Sequence, residues 1–276
     1  MSALLRTLRQ YVRSLKHLSY RALTLRDALV RPANPLMPPA HLRLYYYGTT
    51  DPSVFKQRCD GARAELMARG LQPRHRVLDI GAGVGNLAIA LLDFLQAGYD
   101  GLEIHPEAVA WCQRAITSTH PTFIFHRADI RSDAYNAGGH ASAAQYRFPF
   151  GDGCFDVVFL GSVFTHMLPD EVANYLKEIG RVLAPGGWCV ASFFLLNDAT
   201  RNGVERGRSF MSFPASDGSG HARLHDATIP EAAVALEESF IVDCCRRSGL
   251  TVKDIRRGGW WEGTTNDQDV VTLIRQ

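Results

Sequence analysis

Val77-Leu-Asp-Ile-Gly-Ala-Gly-Val-Gly85 places three apolar residues and a carboxylate ahead of three glycines spaced two apart, and Asn86 opens an apolar run directly behind them. Residues 76–80 read as a short buried strand, 81–85 as a turn whose backbone can approach a ligand closely, and 86–97 as a helix. Orphan N–H groups at the start of such a helix favour negative charge. The dinucleotide fingerprint G-x-G-x-x-G needs glycine at position 86, where Asn86 stands, so the third glycine comes one residue early. Asp79, at the end of the strand, suits a ligand that carries a cationic amine and would repel a pyrophosphate. The turn therefore points away from a nicotinamide dinucleotide, and no Tyr-x-x-x-Lys pair supports a dehydrogenase.

The same strand–helix rhythm continues outward. Strands are predicted over 99–104, 123–126, 155–160 and 188–194, with helices over 106–117 and 170–183 between them. Upstream, a helix over 54–70 ends in Gly70 with Pro73 behind it, the usual stop signals. Downstream, a helix over 231–248 is followed by strands at 252–255 and 269–274, read as an antiparallel pair on the sheet edge. Alternation of this kind implies a doubly wound α/β fold with a mostly parallel, seven-stranded sheet covered on both faces. Two stretches break the rhythm, 132–147 and 197–229. Connections this long are usually lids or disordered.

The chain has 276 residues, enough for one large domain with an attachment, and its 46% hydrophobic and 21% charged content excludes a disordered chain or a coiled-coil rod. No apolar run approaches the ~20 residues that cross a bilayer. Six cysteines show no CxxC and no ligand spacing, which argues for a reducing cytoplasm and against a zinc cluster. Residues 1–31 carry seven Lys or Arg against Asp27 alone, while the rest of the chain holds 23 basic and 27 acidic residues. Leu4, Leu8, Tyr11, Val12, Leu15 and Leu18 recur at helical spacing there, so this segment reads as a basic amphipathic helical arm. It suits packing on its own domain, a dimer mate or an anionic membrane. Residues 32–49 read as a Pro-rich linker that leads into a cofactor-covering segment, and 50–276 as the main domain.

At this point the sequence resembles the class I S-adenosylmethionine-dependent methyltransferases. Residues 77–85 look like that family's first motif. Glu103, in Gly-Leu-Glu-Ile-His-Pro, occupies the place of the acid that binds the ribose hydroxyls, and Asp129, in Arg-Ala-Asp-Ile130, the place that meets the adenine amino group. Residues 155–167 and 175–187 resemble the fourth-strand motif and the helix and turn that follow. The resemblance implies S-adenosyl-L-methionine as cofactor, held by Asp79, Gly81, Ala82, Gly83, Gly85, Asn86, Glu103, Ile104, Asp129, Ile130 and Gly161.

Departures from the family narrow the acceptor. Leu160-Gly-Ser-Val163 stands where amino-methylating DNA enzymes place an acid or amide followed by two prolines and an aromatic, so nucleic acid is not expected. Gly161 and Ser162 also replace the carboxylates with which catechol-type relatives hold magnesium, so no catalytic metal is expected. The reading is then metal-independent O-methylation of a small molecule or a sugar-bearing, glycan-type intermediate. Alternatives are N- or C-methylation of a small metabolite, or a methyltransferase-like interaction protein without catalysis. His166 is the candidate general base, its other reading being to shape the loop or touch the cofactor. His221 and His225 compete on the presumed lid. Tyr45 and Tyr47 are candidate ligand contacts or core residues, and Trp260 and Trp261 either stack on a flat acceptor or fill a buried edge.

Overall fold

The computed structural model of the chain describes residues 34–276. The arm read over 1–31, with its membrane or dimer contact, lies outside the described residues. Strand β1 (Val77–Ile80) is buried along its whole length. Leu78 and Ile80 face one apolar layer and Val77 the other, which is why the strand reads as a continuous apolar run. β2 (Tyr99–Glu103) lies parallel to β1 with Asp79 opposite Gly101, and β3 (Phe123–Arg127) continues on that side. β4 (Phe155–Leu160) and β5 (Leu183–Leu196) extend the sheet on the other side of β1. β10 (Asp269–Arg275) then runs antiparallel to β5, and β9 (Leu250–Arg256) antiparallel to β10, as the expected edge pair. The order β3-β2-β1-β4-β5-β10-β9 reverses direction between β1 and β4. In doubly wound sheets that reversal opens a crevice at the carboxyl ends of the strands.

Helices α1 (Ala40–Tyr47), α2 (Pro52–Met67), α3 (Asn86–Leu91) and α4 (Pro106–Cys112) contribute Leu42, Phe55, Leu66, Leu87 and Val109 to one apolar layer. The opposite layer takes α5 (Pro169–Val182), whose Val172, Tyr175, Leu176, Ile179 and Val182 form a stripe at helical spacing. Among the described residues no helix is long and apolar enough to cross a membrane. All six cysteines are free thiols.

The segment that follows the prolines in 32–49 is helix α1, which begins right after Pro39 because a proline just ahead of the first turn removes no helical hydrogen bond. Buried Arg43 ties that helix to its flanks by donating to the carbonyls of Pro38 and Thr50 at 2.5 and 2.7 Å. The helix expected over 86–97 stops at Leu91. The helix expected over 231–248 is instead strand β8 (Val234–Glu237) and helix α7 (Glu238–Arg247), since the buried run 233–236 pairs with β5 and with residues 222–224. Finally, 197–229 is built of helix α6 (Asp198–Glu205) and a hairpin, β6 (Ala215–Ser216) and β7 (Ala222–Leu224), which together with β8 adds three strands beside the end of β5.

Trp260 is the anchor under that extension. Its ring is fully buried against Phe194 and Phe213, and its Nε1 donates to Asp269 at 2.8 Å. Of its two readings, the buried one holds.

Candidate functional site

A cavity of about 610 Å³ opens at the carboxyl ends of β1, β2 and β4. The glycine turn forms its floor because three of its residues need backbone angles that L side chains rarely adopt: φ is 74° at Gly81, 54° at Gly83 and 73° at Gly85. A Cβ on Gly81 would stand 2.4 Å from the Val163 side chain, and one on Gly83 would press at 3.2 Å on the ring of Tyr46. The turn is thus clamped between the loop after β4 and helix α1.

Two carboxylates border this turn. Glu103 accepts the Gly83 N–H on Oε2 and the His105 N–H on Oε1, both at 2.8 Å, so β2 delivers a rigidly held acceptor to the cavity. Asp79 accepts the Tyr99 hydroxyl at 2.5 Å. Burial raises the pKa of both. Asp79 reaches about 7, with the Tyr99 bond opposing the rise and Glu103 adding to it, while the N–H donors of His105 and Gly83 oppose it at Glu103. Neither carboxylate has an ion-pair partner among the described residues. The Tyr46 hydroxyl, close by on α1, is buried beside the Glu103 carboxylate. Buried charges and hydroxyls are normally paired. This end of the cavity therefore fits a ligand that brings a cation and its own hydroxyl groups, which suits S-adenosylmethionine.

Most of the expected cofactor contacts converge here: Asp79, Gly81, Gly83, Asn86, Glu103, Ile104, Ile130 and Gly161 all line the cavity. Three do not. Ala82 is packed in the core, and Gly85 lies against Ile116, where a Cβ would come within 2.7 Å. Asp129 turns its carboxylate outward to Arg127 at 3.1 Å and His140 at 2.7 Å, so its neighbours Ala128 and Ile130 form the wall instead. Tyr45 and Tyr47 line the cavity, but His221 and His225 do not. His221 stacks on Phe240, and His225 bonds the Ser212 carbonyl at 2.8 Å, because their hairpin extends the sheet and does not roof the site. The roof comes from the other insertion, which supplies Ser132 and Tyr135.

His166 ends a short 3₁₀ turn (Phe164–His166) after β4 and lines the cavity. Its Nδ1 faces the Glu231 carbonyl oxygen at 3.0 Å, and its Nε2 faces the Tyr135 hydroxyl at 3.1 Å. A carbonyl only accepts, so Nδ1 carries the proton and Nε2 keeps a lone pair toward the cavity. Burial holds the His166 pKa below the usual histidine value, and the Glu231 and Ala232 carbonyls only partly oppose this. Tyr135 is pushed by burial up to about 12, so it stays a donor. The circuit then closes on itself. The Glu231 carboxylate accepts the Ser132 hydroxyl and the Ala134 N–H, and the Ser132 hydroxyl oxygen accepts the Tyr135 N–H at 3.3 Å. Sequence reasoning found His166 from its place after a strand. It missed Tyr46, Tyr135 and Glu231, whose roles depend on contacts across 31 to 99 positions for the last two. Among the described residues no group of three His, Cys, Asp or Glu side chains is placed to hold a metal ion.

Residues 78–191 match the family model described as a methyltransferase domain. Cycloartenol-C-24-methyltransferase 1 of Oryza sativa subsp. japonica is 28% identical over 144 residues, which cover 49% of this chain and 37% of that protein. The chain spans half or less of the length of the curated relatives it matches. Among solved structures, the PH0226 protein of Pyrococcus horikoshii OT3 is similar with a TM-score of 0.56 at 18% identity, over 84% of this chain and 95% of that one. The 1,6-didemethyltoxoflavin-N1-methyltransferase of Burkholderia thailandensis, solved with 1,6-didemethyltoxoflavin and S-adenosylhomocysteine, gives 0.52 at 20% identity over 90% and 92%. At these identities the structural likeness is one of fold.

Proposed function

We propose that the chain, whose residues 78–191 match a methyltransferase domain, is a class I S-adenosylmethionine-dependent methyltransferase that methylates a hydroxyl group of a small molecule or sugar-bearing intermediate, with protein groups alone activating the acceptor. When bound, the cofactor supplies a sulfonium methyl to an attacking nucleophile. Glu103 would accept from its ribose hydroxyls, Asp79 would face its cationic amine, and Ile104 and Ile130 would bound the site as apolar walls.

One observation carries the choice of oxygen as acceptor atom. The Tyr135 hydroxyl sits as an O–H donor 3.1 Å from His166 Nε2, which shows that this nitrogen accepts from a hydroxyl, and an alcohol that takes the place of Tyr135 there meets a neutral base whose tautomer is fixed by the Glu231 carbonyl. An alcohol must lose its proton as it attacks. A group held neutral near pH 7, as burial holds His166, is ready to take it. The loop after β4 offers Gly161 and Ser162 where a metal-assisted enzyme needs carboxylates.

A second reading is C-methylation, favoured by the sterol-directed curated relatives and by the apolar side chains of Phe159, Val190 and Val270 in the cavity wall. Six free thiols support a cytoplasmic setting. The arm of residues 1–31 would then serve as a membrane or dimer contact.

The test is turnover of radiolabelled S-adenosylmethionine against a panel of hydroxylated small molecules, with and without EDTA, followed by identification of the methylated atom. Oxygen methylation that survives chelation supports the reading. Methylation only at carbon or nitrogen, or activity that EDTA removes and magnesium restores, overturns it.

A further inference from the structure

The cavity does not end at the glycine turn and the His166 circuit. It continues across β4, β5 and β10, with Phe159, Val190 and Val270 as an apolar floor and Ser162, Ser192 and Gln268 along one edge. Ser162 is the one non-glycine residue with positive φ among the described residues, at 58°. The chain must turn back sharply after β4 to bring Val163 down on Gly81, and Ser162 takes up that turn. Conformations of this kind cost free energy and cluster at functional sites.

Hydrogen bonds around Ser162 orient the edge. Its N–H donates to Ser192 Oγ at 2.7 Å, and its hydroxyl donates to Gln268 Oε1 at 3.0 Å. The carbonyl end of Gln268 is thereby occupied. Its Nε2 amine and the Ser192 hydroxyl proton have no acceptor among the described residues, so the edge presents donors over an apolar floor. Charge in this lobe is balanced. Arg256 is paired with Glu65 at 2.9 Å, and the rim carries both Arg58 and Asp267, each without an ion-pair partner among the described residues. Arg58 and Asp267 offset each other for an ionic ligand, whereas a neutral oxygen acceptor finds the Gln268 Nε2 and Ser192 Oγ donors at the edge.

We infer that this lobe is an acceptor subsite for a flat, largely apolar molecule bearing a neutral carbonyl oxygen, with Gln268 and Ser192 reading the carbonyl and Ser162 orienting Gln268. The inference rests on the proposed methyl-acceptor role of the cavity. A site built to donate to a carbonyl discriminates against the analogue that lacks it, since the donors are then left unpaired.

The probes are 4-hydroxyacetophenone and 4-ethylphenol, two phenols of similar shape that differ in the carbonyl. Their affinities are measured by saturation-transfer NMR on the full chain, first with S-adenosylhomocysteine present and then without it. Two hydrogen bonds of ordinary strength predict about tenfold tighter binding of the carbonyl probe to the unaltered protein. Gln268→Glu keeps the acceptor for Ser162 but replaces the amine with an oxygen, and should abolish that preference. Ser162→Gly permits the same backbone angle and the same N–H donation to Ser192 but removes the hydroxyl that orients Gln268, and should reduce it. Both variants should keep their melting temperature and their S-adenosylhomocysteine affinity within about twofold, because neither touches Glu103 or Asp79. Equal affinities in the unaltered protein, a preference that survives Gln268→Glu, or no binding of either probe overturns the inference. Loss of S-adenosylhomocysteine binding in the unaltered protein overturns the methyltransferase reading instead, and the two-probe comparison still decides the subsite.

Discussion

The Tyr135 hydroxyl and His166 Nε2 face each other at 3.1 Å, with the far ring nitrogen of His166 held by the Glu231 carbonyl. This pair spans the roof of the cavity and its base. His166→Ala should lower turnover by ~100-fold or more, the usual contribution of a positioned base, while leaving S-adenosylhomocysteine affinity nearly intact. Tyr135→Phe keeps the ring and loses only the hydroxyl, so its effect on turnover should be the smaller. Parallel loss of cofactor affinity in His166→Ala would assign that residue to shaping the pocket.

The pH profile of the same reaction has a definite sign. His166 acts as a base only when neutral, so the rate should rise with pH. Burial lowers its folded pKa, so the step should lie below the ordinary value of ~6.5 and should vanish in His166→Ala. A step well above ~6.5 would contradict the burial of this ring.

Glu231 holds the roof by its side chain and the base by its main chain. Glu231→Ala keeps the carbonyl that fixes the His166 tautomer but frees the Ser132 hydroxyl and the Ala134 N–H. The pH step should therefore persist, moved only to lower pH because the Glu231 charge raises the His166 pKa, while amides around 132–136 lose protection from hydrogen exchange. A step that moves to higher pH, or unchanged protection, would contradict these two roles.

Asp79 makes cofactor binding depend on pH. Its folded pKa is raised to about 7 by burial, so below that pH the site is neutral and meets a cation poorly. Affinity for S-adenosylmethionine should rise as pH increases through about 7, with proton release on binding, and Asp79→Asn should flatten the dependence. For the ligand-free fold the sign is opposite. The native state holds a proton that the unfolded chain gives up above its own lower pKa, so this residue's contribution to stability falls as pH rises through about 7. Calorimetry in buffers of different ionisation enthalpy measures the proton count directly.

Glu103→Ala should weaken S-adenosylhomocysteine binding roughly tenfold or more, because a buried carboxylate accepting from hydroxyls makes charge-assisted bonds of ~1.5 to 3 kcal/mol. It also strips the Gly83 and His105 N–H groups of their acceptor. The melting temperature of the ligand-free variant therefore has to be read beside the dissociation constant.

Asp269→Ala tests the sheet extension. The fully buried carboxylate accepts from the Leu195 and Gly258 N–H groups at 3.0 Å and from Trp260 Nε1 at 2.8 Å. Its loss strands three buried donors and should cost on the order of 3 kcal/mol, or roughly 6 to 12 °C in melting temperature. A change below ~2 °C would mean that water replaces the carboxylate there.

The sequence by itself determined the parallel sheet, the glycine turn and the two acids at the ends of β1 and β2, because each depends on neighbours within a few positions. A buried strand needs an apolar run, and a turn that clamps Val163 and Tyr46 against bare backbone needs glycine. Elements whose identity depends on a distant partner were decided only by the tertiary structure. The run 233–236 has no period that separates strand from helix, and it becomes β8 because β5 and β7 offer it free edges. His221 and His225 lie in a segment without local periodicity, and pairing in the hairpin and sheet extension places them away from the cavity. Tyr135 and Glu231 sit in stretches without local pattern, and what they do comes from hydrogen bonds to His166 that local spacing does not encode.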